Sequence, residues 1–165
     1  LTLEVFKEFN CSPFLIQHSK AVTKKALNLA VRLNHKVNLE LVKKGALLHD
    51  VGRCQSNEID HAIIGADILR NLGISSEVVM IVERHVGAGI TAEEAIIMGL
   101  PIRSYEPVTL EEKIVSHADN LVHGTEEVNM DFVIKKWKDM MGEDHPSINR
   151  LIKQHYEITG REVKG

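Results

Sequence analysis

The chain has no run approaching the roughly 18 uninterrupted apolar residues that a membrane span needs, and no basic-then-apolar leader opens it. A cytoplasmic protein is expected, although the residues begin at a leucine and leave an initiator or processed start open. Cysteine is scarce. Cys11 and Cys54 form no CxxC or other metal-ligand spacing and no disulfide framework, so both read as buried thiols in a reducing compartment, packing as small hydrophobes. Excess positive charge is also missing. Formal net charge is −3 with histidine neutral, and Lys24, Lys25, Lys43, Lys44, Lys135 and Lys136 are scattered among acids, so no basic face stands ready to displace counterions from a duplex. Strand signals, fixed-period repeats, low-complexity tracts and linkers are absent as well.

What remains is helical punctuation. With 165 residues, 44% hydrophobic and 26% charged, the chain suits one domain spanning 1–165. Ser12 and Pro13 supply an N-cap and first-turn proline, after which Leu15, His18, Val22, Ala26, Leu29 and Leu33 recur at three- and four-residue steps, turning His18 inward. Asn38 caps a second helix that carries Leu39, Val42, Ala46 and Leu47, runs to His49-Asp50 and is stopped by Gly52. "HAIIGADILRNLG" (61–73) is a third, and Ser76 opens a fourth that closes at Gly87. Thr91-Glu94 and Thr109-Glu112 both match the capping box and start two more, the latter running to about 122. Asp131 or Asn129 starts a helix containing Trp137, and Pro146 starts the last, ended by Gly160. The spacing predicts an all-α bundle of about seven to eight helices, with C-terminal helices over about 129–160 and a frayed end over the last five residues.

Within these stripes sit polar groups that a core does not welcome. His18, His49, His61 and His85 lie on or beside apolar faces, where one histidine alone reads as a hydrogen-bonded core residue. Asp50 and Asp119 near them would each cost several kcal/mol to bury uncompensated, so lysine, arginine, imidazolium or a divalent cation must stand opposite. A His-Asp pair alone arises by chance roughly 0.4 times in such a composition. Its place at a helix C-terminus gives it more weight. There the chain leaves the spiral, adjacent side chains can aim at one point, and the helix dipole attracts a cation.

His18, then His49-Asp50-Val51-Gly52, then His117-Ala118-Asp119 resembles the HD superfamily of metal-dependent phosphohydrolases, in particular the HDIG type. The spacing is 31 residues from His18 to His49 and 69 from Asp50 to Asp119, and the match spans about residues 12–125. "ERHVGAGIT" and "YEPVTLEEKIVSHADNL" are similar to small stand-alone HDIG proteins common in archaea. The resemblance implies that His18, His49, Asp50 and Asp119 coordinate one divalent ion inside a helical bundle. His61 and His85 match the extra histidines of two-metal subfamilies, such as cyclic-dinucleotide phosphodiesterases and diadenosine tetraphosphate hydrolases. In those, Asp50 would bridge to a second ion. The alternative is one ion, with the two histidines binding phosphate oxygens or moving a proton. "GAGIT" stands where the cyclic-dinucleotide enzymes carry GYP, which disfavours that substrate class.

Imidazole and carboxylate donors without thiolate suit iron, manganese, zinc, nickel or cobalt better than calcium, with magnesium also a candidate. The expected function is hydrolysis of a phosphate ester or anhydride of a nucleotide or other small phosphorylated metabolite by metal-activated water, with Asp50, Arg53, His61 and His85 as the catalytic group. Arg53 could grip a substrate phosphate with two prongs or lie solvated on the surface. A non-catalytic nucleotide-sensing module built on the same centre, and a purely structural bundle, are the rival readings. His117, about 200° around the helix from Asp119, is left out of the ligand set. His35, His123, His145 and His155 are assigned no metal role, and Lys113 a surface ion pair. Arg84 and Tyr105 are placed at the mouth, touching substrate or packing. Met130, Phe132, Trp137, Met140 and Met141 either cap the bundle or form a contact surface.

Overall fold

The computed structural model describes residues 2–33 and 35–163. Helix α1 (Thr2–Glu8) leads into α2 (Pro13–Arg32) and α3 (Leu39–Leu48). A turn of 3-10 helix (Val51–Cys54) then joins α3 to α4 (His61–Asn71), and α5 (Ser76–Glu83) and α6 (Ala92–Met98) follow. After α7 (Leu110–Asn120) come strands β1 (Val122–His123) and β2 (Glu126–Glu127), then α8 (Met130–Met141) and α9 (Pro146–Thr159). The predicted caps explain most of these starts. The Ser12 hydroxyl accepts from Phe14 N with Pro13 at the first helical position, and Asn38 accepts from Leu41 N at 3.0 Å. Asn129 rather than Asp131 caps α8. Thr91 and Glu94 close both halves of a capping box.

Helix α3 lies between two apolar clusters. Val42 and Ala46 join Val22 and Ala26 of α2, Ile114 and Ala118 of α7, and Leu151 of α9. Leu48, two residues on and so on the opposite face, joins Phe6 of α1, Leu69 of α4, and Val79 and Val82 of α5. Each such side chain contributes roughly 1.5–3 kcal/mol on leaving water. Helix α3 packs against α2, α5 and α7, and the 3-10 turn that follows it packs against α4, so the segment carrying His49 and Asp50 is held from several elements at once.

The structure departs from the sequence pattern at five places. Helix α1 was not anticipated, because it is 7 residues long and opens without a capping signal; its Phe6 is nonetheless fully buried. The absence of strands fails at a two-residue antiparallel pair, Val122 with Glu127 and His123 with Glu126, which turns the chain at Gly124 and ends α7 before residue 122. The Thr109 box is half made: Thr109 accepts from Glu112 N, but the Glu112 carboxylate accepts from Val108 N and the Thr109 hydroxyl. Cys11 and Cys54 are not free thiols. They form a disulfide, with Cα atoms 5.0 Å apart, that ties the α1–α2 junction to the 3-10 turn. Gly52 does not stop α3 as a left-handed cap, for α3 ends at Leu48 and Gly52 has no positive φ. Of the frayed end, residues 161–163 follow α9 without regular structure, and 164 and 165 lie outside the described residues.

Candidate metal centre

The side chains singled out in the sequence meet at one place. His18 comes from the second turn of α2, His49 and Asp50 from the C-terminus of α3, His61 from the first position of α4, His85 from just past α5, and Asp119 from the last turn of α7. Each imidazole is oriented in the same way. Nδ1 of His18 donates to Gly124 O at 2.6 Å, that of His49 to Ala46 O at 2.7 Å, that of His61 to Glu58 O at 2.8 Å, and that of His85 to Val82 O at 2.7 Å. A carbonyl can only accept, so the Nδ1 atoms carry hydrogen and four Nε2 atoms are left to point inward.

The inward atoms face two carboxylates. His18 Nε2 and His49 Nε2 stand 3.0 and 3.2 Å from Asp119 Oδ1, and 3.5 and 3.6 Å from Asp50 Oδ2. His61 Nε2 and His85 Nε2 stand 3.4 and 3.3 Å from the other oxygen, Asp50 Oδ1, and 3.2 Å from each other. Asp50 therefore divides its two oxygens between two pairs of imidazoles. Arg53 Nε also lies 3.2 Å from Oδ1, yet at no hydrogen-bonding angle, and Oδ1 is buried with no hydrogen-bond partner. An orphaned carboxylate oxygen ringed by imidazole nitrogens is an arrangement a cation completes. Two sets of donor atoms lie within 4.8 Å of one another, His18, His49 and Asp119 in one, His49, Asp50 and His85 in the other. The residues present can hold one or two divalent ions.

The protonation states are consistent with competition for a cation. Burial opposes charging His49, but Asp50 and Asp119 together carry its pKa up to about 9. Burial likewise works against His18, and its bond to Asp119 overcomes this and raises it. His85, fully enclosed, is lowered by burial and stays neutral beside its charged neighbours. Burial would raise both aspartates, yet His49 first, then the other imidazoles, hold them well below the usual carboxylate range. The centre opens into a cavity of about 540 Å³ lined by His18, Asp50, Arg53, His61, His85 and Asp119 together with Phe14, Trp137 and Met140. His18 is not wholly inward, its side chain being 17% exposed to this space.

Other predicted positions fall elsewhere. Arg84 and Tyr105, expected at the mouth, do not line the cavity: Arg84 binds Glu112 at 2.8 Å, and the Tyr105 hydroxyl donates to Pro101 O at 2.7 Å from a site 2% exposed. Lys113 pairs with Glu157 at 2.9 Å. His117 turns away from Asp119 and meets His155, Nε2 to Nδ1 at 2.8 Å, a pair the sequence did not announce because α7 and α9 are 38 residues apart at that point. Phe14, Lys136, Trp137 and Met140 line the cavity as well; the sequence assigns Trp137 and Met140 to a cap of the bundle or a contact surface and gives no signal for Phe14, which is 85% exposed.

A helical bundle whose five converging helices hold histidine and aspartate around one buried, cation-demanding point has the architecture of a metal-dependent phosphohydrolase. The sequence comparison agrees: the HD domain model matches residues 15–123, and the chain belongs to that family. An uncharacterised protein of Methanocaldococcus jannaschii is 50% identical over 151 residues, covering 90% of this chain and 89% of that protein. The tRNA (cytidine(56)-2'-O)-methyltransferase of Thermoplasma volcanium is 44% identical over 153 residues, covering 93% of this chain but 44% of the methyltransferase, so the chain spans under half of that relative. Among solved structures, the HD domain of the Listeria monocytogenes phosphodiesterase PgpH in complex with cyclic-di-AMP is similar in fold, with a TM-score of 0.57 at 18% identity over 99% of both chains.

Proposed function

We propose that His18, His49, Asp50 and Asp119 hold one divalent ion and that Asp50, His61 and His85 hold a second, making the chain a hydrolase of phosphate esters or anhydrides in small nucleotides. The observation that carries this is the division of Asp50 between two imidazole pairs, Oδ2 toward His18 and His49 and Oδ1 toward His61 and His85, as a bridging carboxylate would be placed. When bound, such ions supply an acidified water and positive charge against phosphoryl oxygens. The chain's own residues do the rest. The backbone carbonyls at Gly124, Ala46, Glu58 and Val82 keep the imidazoles in one tautomer and one orientation. Arg53, 37% exposed and lining the cavity, keeps its terminal nitrogens without a partner among the described residues and receives a phosphate beside Asp50.

A cavity of about 540 Å³ is the size of a small-molecule site, and together with the net charge of −3 it supports a small substrate in preference to a duplex. Among the described residues no helix is long and apolar enough to cross a membrane. A cytoplasmic setting belongs to the same proposal, with the Cys11–Cys54 bond required to resist the thiol pool there. PgpH, a phosphodiesterase, makes phosphodiesters worth including among the substrates tried. The test is an assay of metal-loaded protein against a panel of nucleotides and generic phosphodiesters, with elemental analysis. Two metal equivalents, and turnover abolished by Asp50→Ala, are expected. One equivalent would reduce the centre to a single ion, and tight binding with no turnover under any metal would make the chain a sensor instead.

A further inference from the structure

The cavity beside the metal centre has a second chemical character that phosphate binding does not use. Val133, Lys136, Trp137 and Met140, at three- and four-residue steps along α8, present one face to it, and Phe14 at the start of α2 lines it from another element. Phe14 is 85% exposed and Met140 55%, so neither serves the core. Trp137, the single tryptophan of the chain, is fixed: a Cβ at Gly87, whose φ is +59°, would stand 2.8 Å from the indole, so glycine there both makes the turn and admits the ring. Gly87 O accepts from Asn120 Nδ2 at 2.9 Å and from the Ser116 hydroxyl, which locks the segment two residues after His85 against α7. The indole is thus held at a set position relative to the histidine beside it. Helix α8 lies outside residues 15–123, the part shared as the HD domain.

We infer that Phe14, Trp137 and Met140 form a stacking site for the nucleobase of a nucleoside phosphate whose phosphate lies at Arg53 and the metal centre. The inference rests on the phosphohydrolase reading above and names the side chains that would recognise the base of its nucleotide. Two aromatic rings and a polarisable thioether, with Asn57, Asn120 and Lys136 lining the same cavity, suit a flat heterocycle with polar edges. A sugar phosphate would leave the rings exposed to water, and a lipid would find charged and amide groups along its chain. The shared core supplies the chemistry, and α8 supplies the choice of substrate.

Because Trp137 is the only tryptophan, its emission reports this wall directly. The full chain in Mg²⁺ would be mixed with AMP, CMP, GMP, UMP or the dinucleotide pApA, and in parallel with ribose 5-phosphate, recording emission before turnover and then product. A saturable emission change with at least one nucleotide, with ribose 5-phosphate about tenfold weaker or silent, is expected. Phe14→Ala, at a position exposed enough to leave the fold intact, should weaken nucleotide binding by about tenfold. Equal affinity for ribose 5-phosphate, or no saturable change with any nucleotide, overturns the inference. Turnover without base preference would overturn it while leaving the phosphohydrolase reading standing. Base-dependent binding without turnover of any phosphate would support it and remove the enzyme.

Discussion

Gly52 has no side chain to contribute, yet the position of His61 depends on it. A Cβ there would land on the carbonyl oxygen of His61 and 2.7 Å from Gly65 N, both backbone atoms of α4 that cannot swing aside. The glycine after His49-Asp50 is therefore needed for close approach, letting the first turn of α4 press against the turn that carries Asp50. Gly52→Ala should cost roughly 1–3 kcal/mol by overpacking, read as a lower urea midpoint, and should also lower the metal bound per chain because His61 moves with α4. Unchanged metal content would show that α4 accommodates the methyl group without shifting its ligand. His117 makes the opposite kind of demand. Burial, then the charges of His155 and Lys25, push its pKa down to about 3, and its Nδ1 has no partner. An unpaired lone pair is cheaper to bury than an unpaired N–H, so Nε2 carries the hydrogen and donates to His155 Nδ1. The unfolded imidazole takes a proton below about 6.5 and the folded one resists until about 3. Stability is whole above pH 6.5 and is lost as pH falls from there toward 3. Between pH 7 and pH 5 the wild-type chain should lose about 2 kcal/mol more than His117→Gln, measured by urea denaturation. Parallel losses would mean that His117 titrates normally.

Among the elements, those that announced themselves carry their own start signals: Ser12-Pro13, Asn38, Thr91-Glu94, Asn129 and Pro146 each satisfy helix-end groups using residues within a few positions. His18, His49, His61 and His85 were legible as polar groups on or beside apolar stripes, and their grouping with Asp50 and Asp119 followed from the resemblance to the HD superfamily. What stayed hidden depends on pairings across the fold. Helix α1 has one turn of buried contact and no cap, and the β1–β2 hairpin is too short for alternation to register. The Cys11–Cys54 bond joins positions 43 residues apart, and no spacing rule could have matched two thiols whose meeting is decided by how α1 docks on α3 and the 3-10 turn. Closing a loop of that size restricts the unfolded chain by about 4 kcal/mol in the chain-entropy model. Cys11→Ser or Cys54→Ser should accordingly lower unfolding free energy by roughly 2–4 kcal/mol in chemical denaturation, and a thiol reductant should reproduce the loss in the wild-type chain but not in either variant. A variant as stable as the oxidised protein would mean that packing of Phe6 and Leu48 alone secures this corner.

At the scale of the whole molecule, the centre is a point where five helices meet, so what occupies it bears on the fold as well as on the chemistry. In the metal-free chain burial opposes a charged His49, yet Asp50 and Asp119 keep it protonated to about pH 9. That contribution to stability is complete below the ordinary value of 6.5 and is lost as pH rises through about 9. A divalent ion takes the place of that proton, so its affinity should climb about tenfold per pH unit until His49 would titrate by itself. Ligand binding stabilises by RT ln(1 + [L]/Kd), and each tenfold adds about 1.4 kcal/mol. At a fixed free metal concentration, the difference in unfolding free energy between metal-loaded and chelated protein should be wider at pH 8 than at pH 6 by about 2.7 kcal/mol. His49→Gln should flatten that dependence as well as shrink the difference itself. A gap that stays constant or narrows from pH 6 to pH 8 would mean that the ion does not compete with the His49 proton, and the five-helix junction would have to owe its stability to the imidazolium alone.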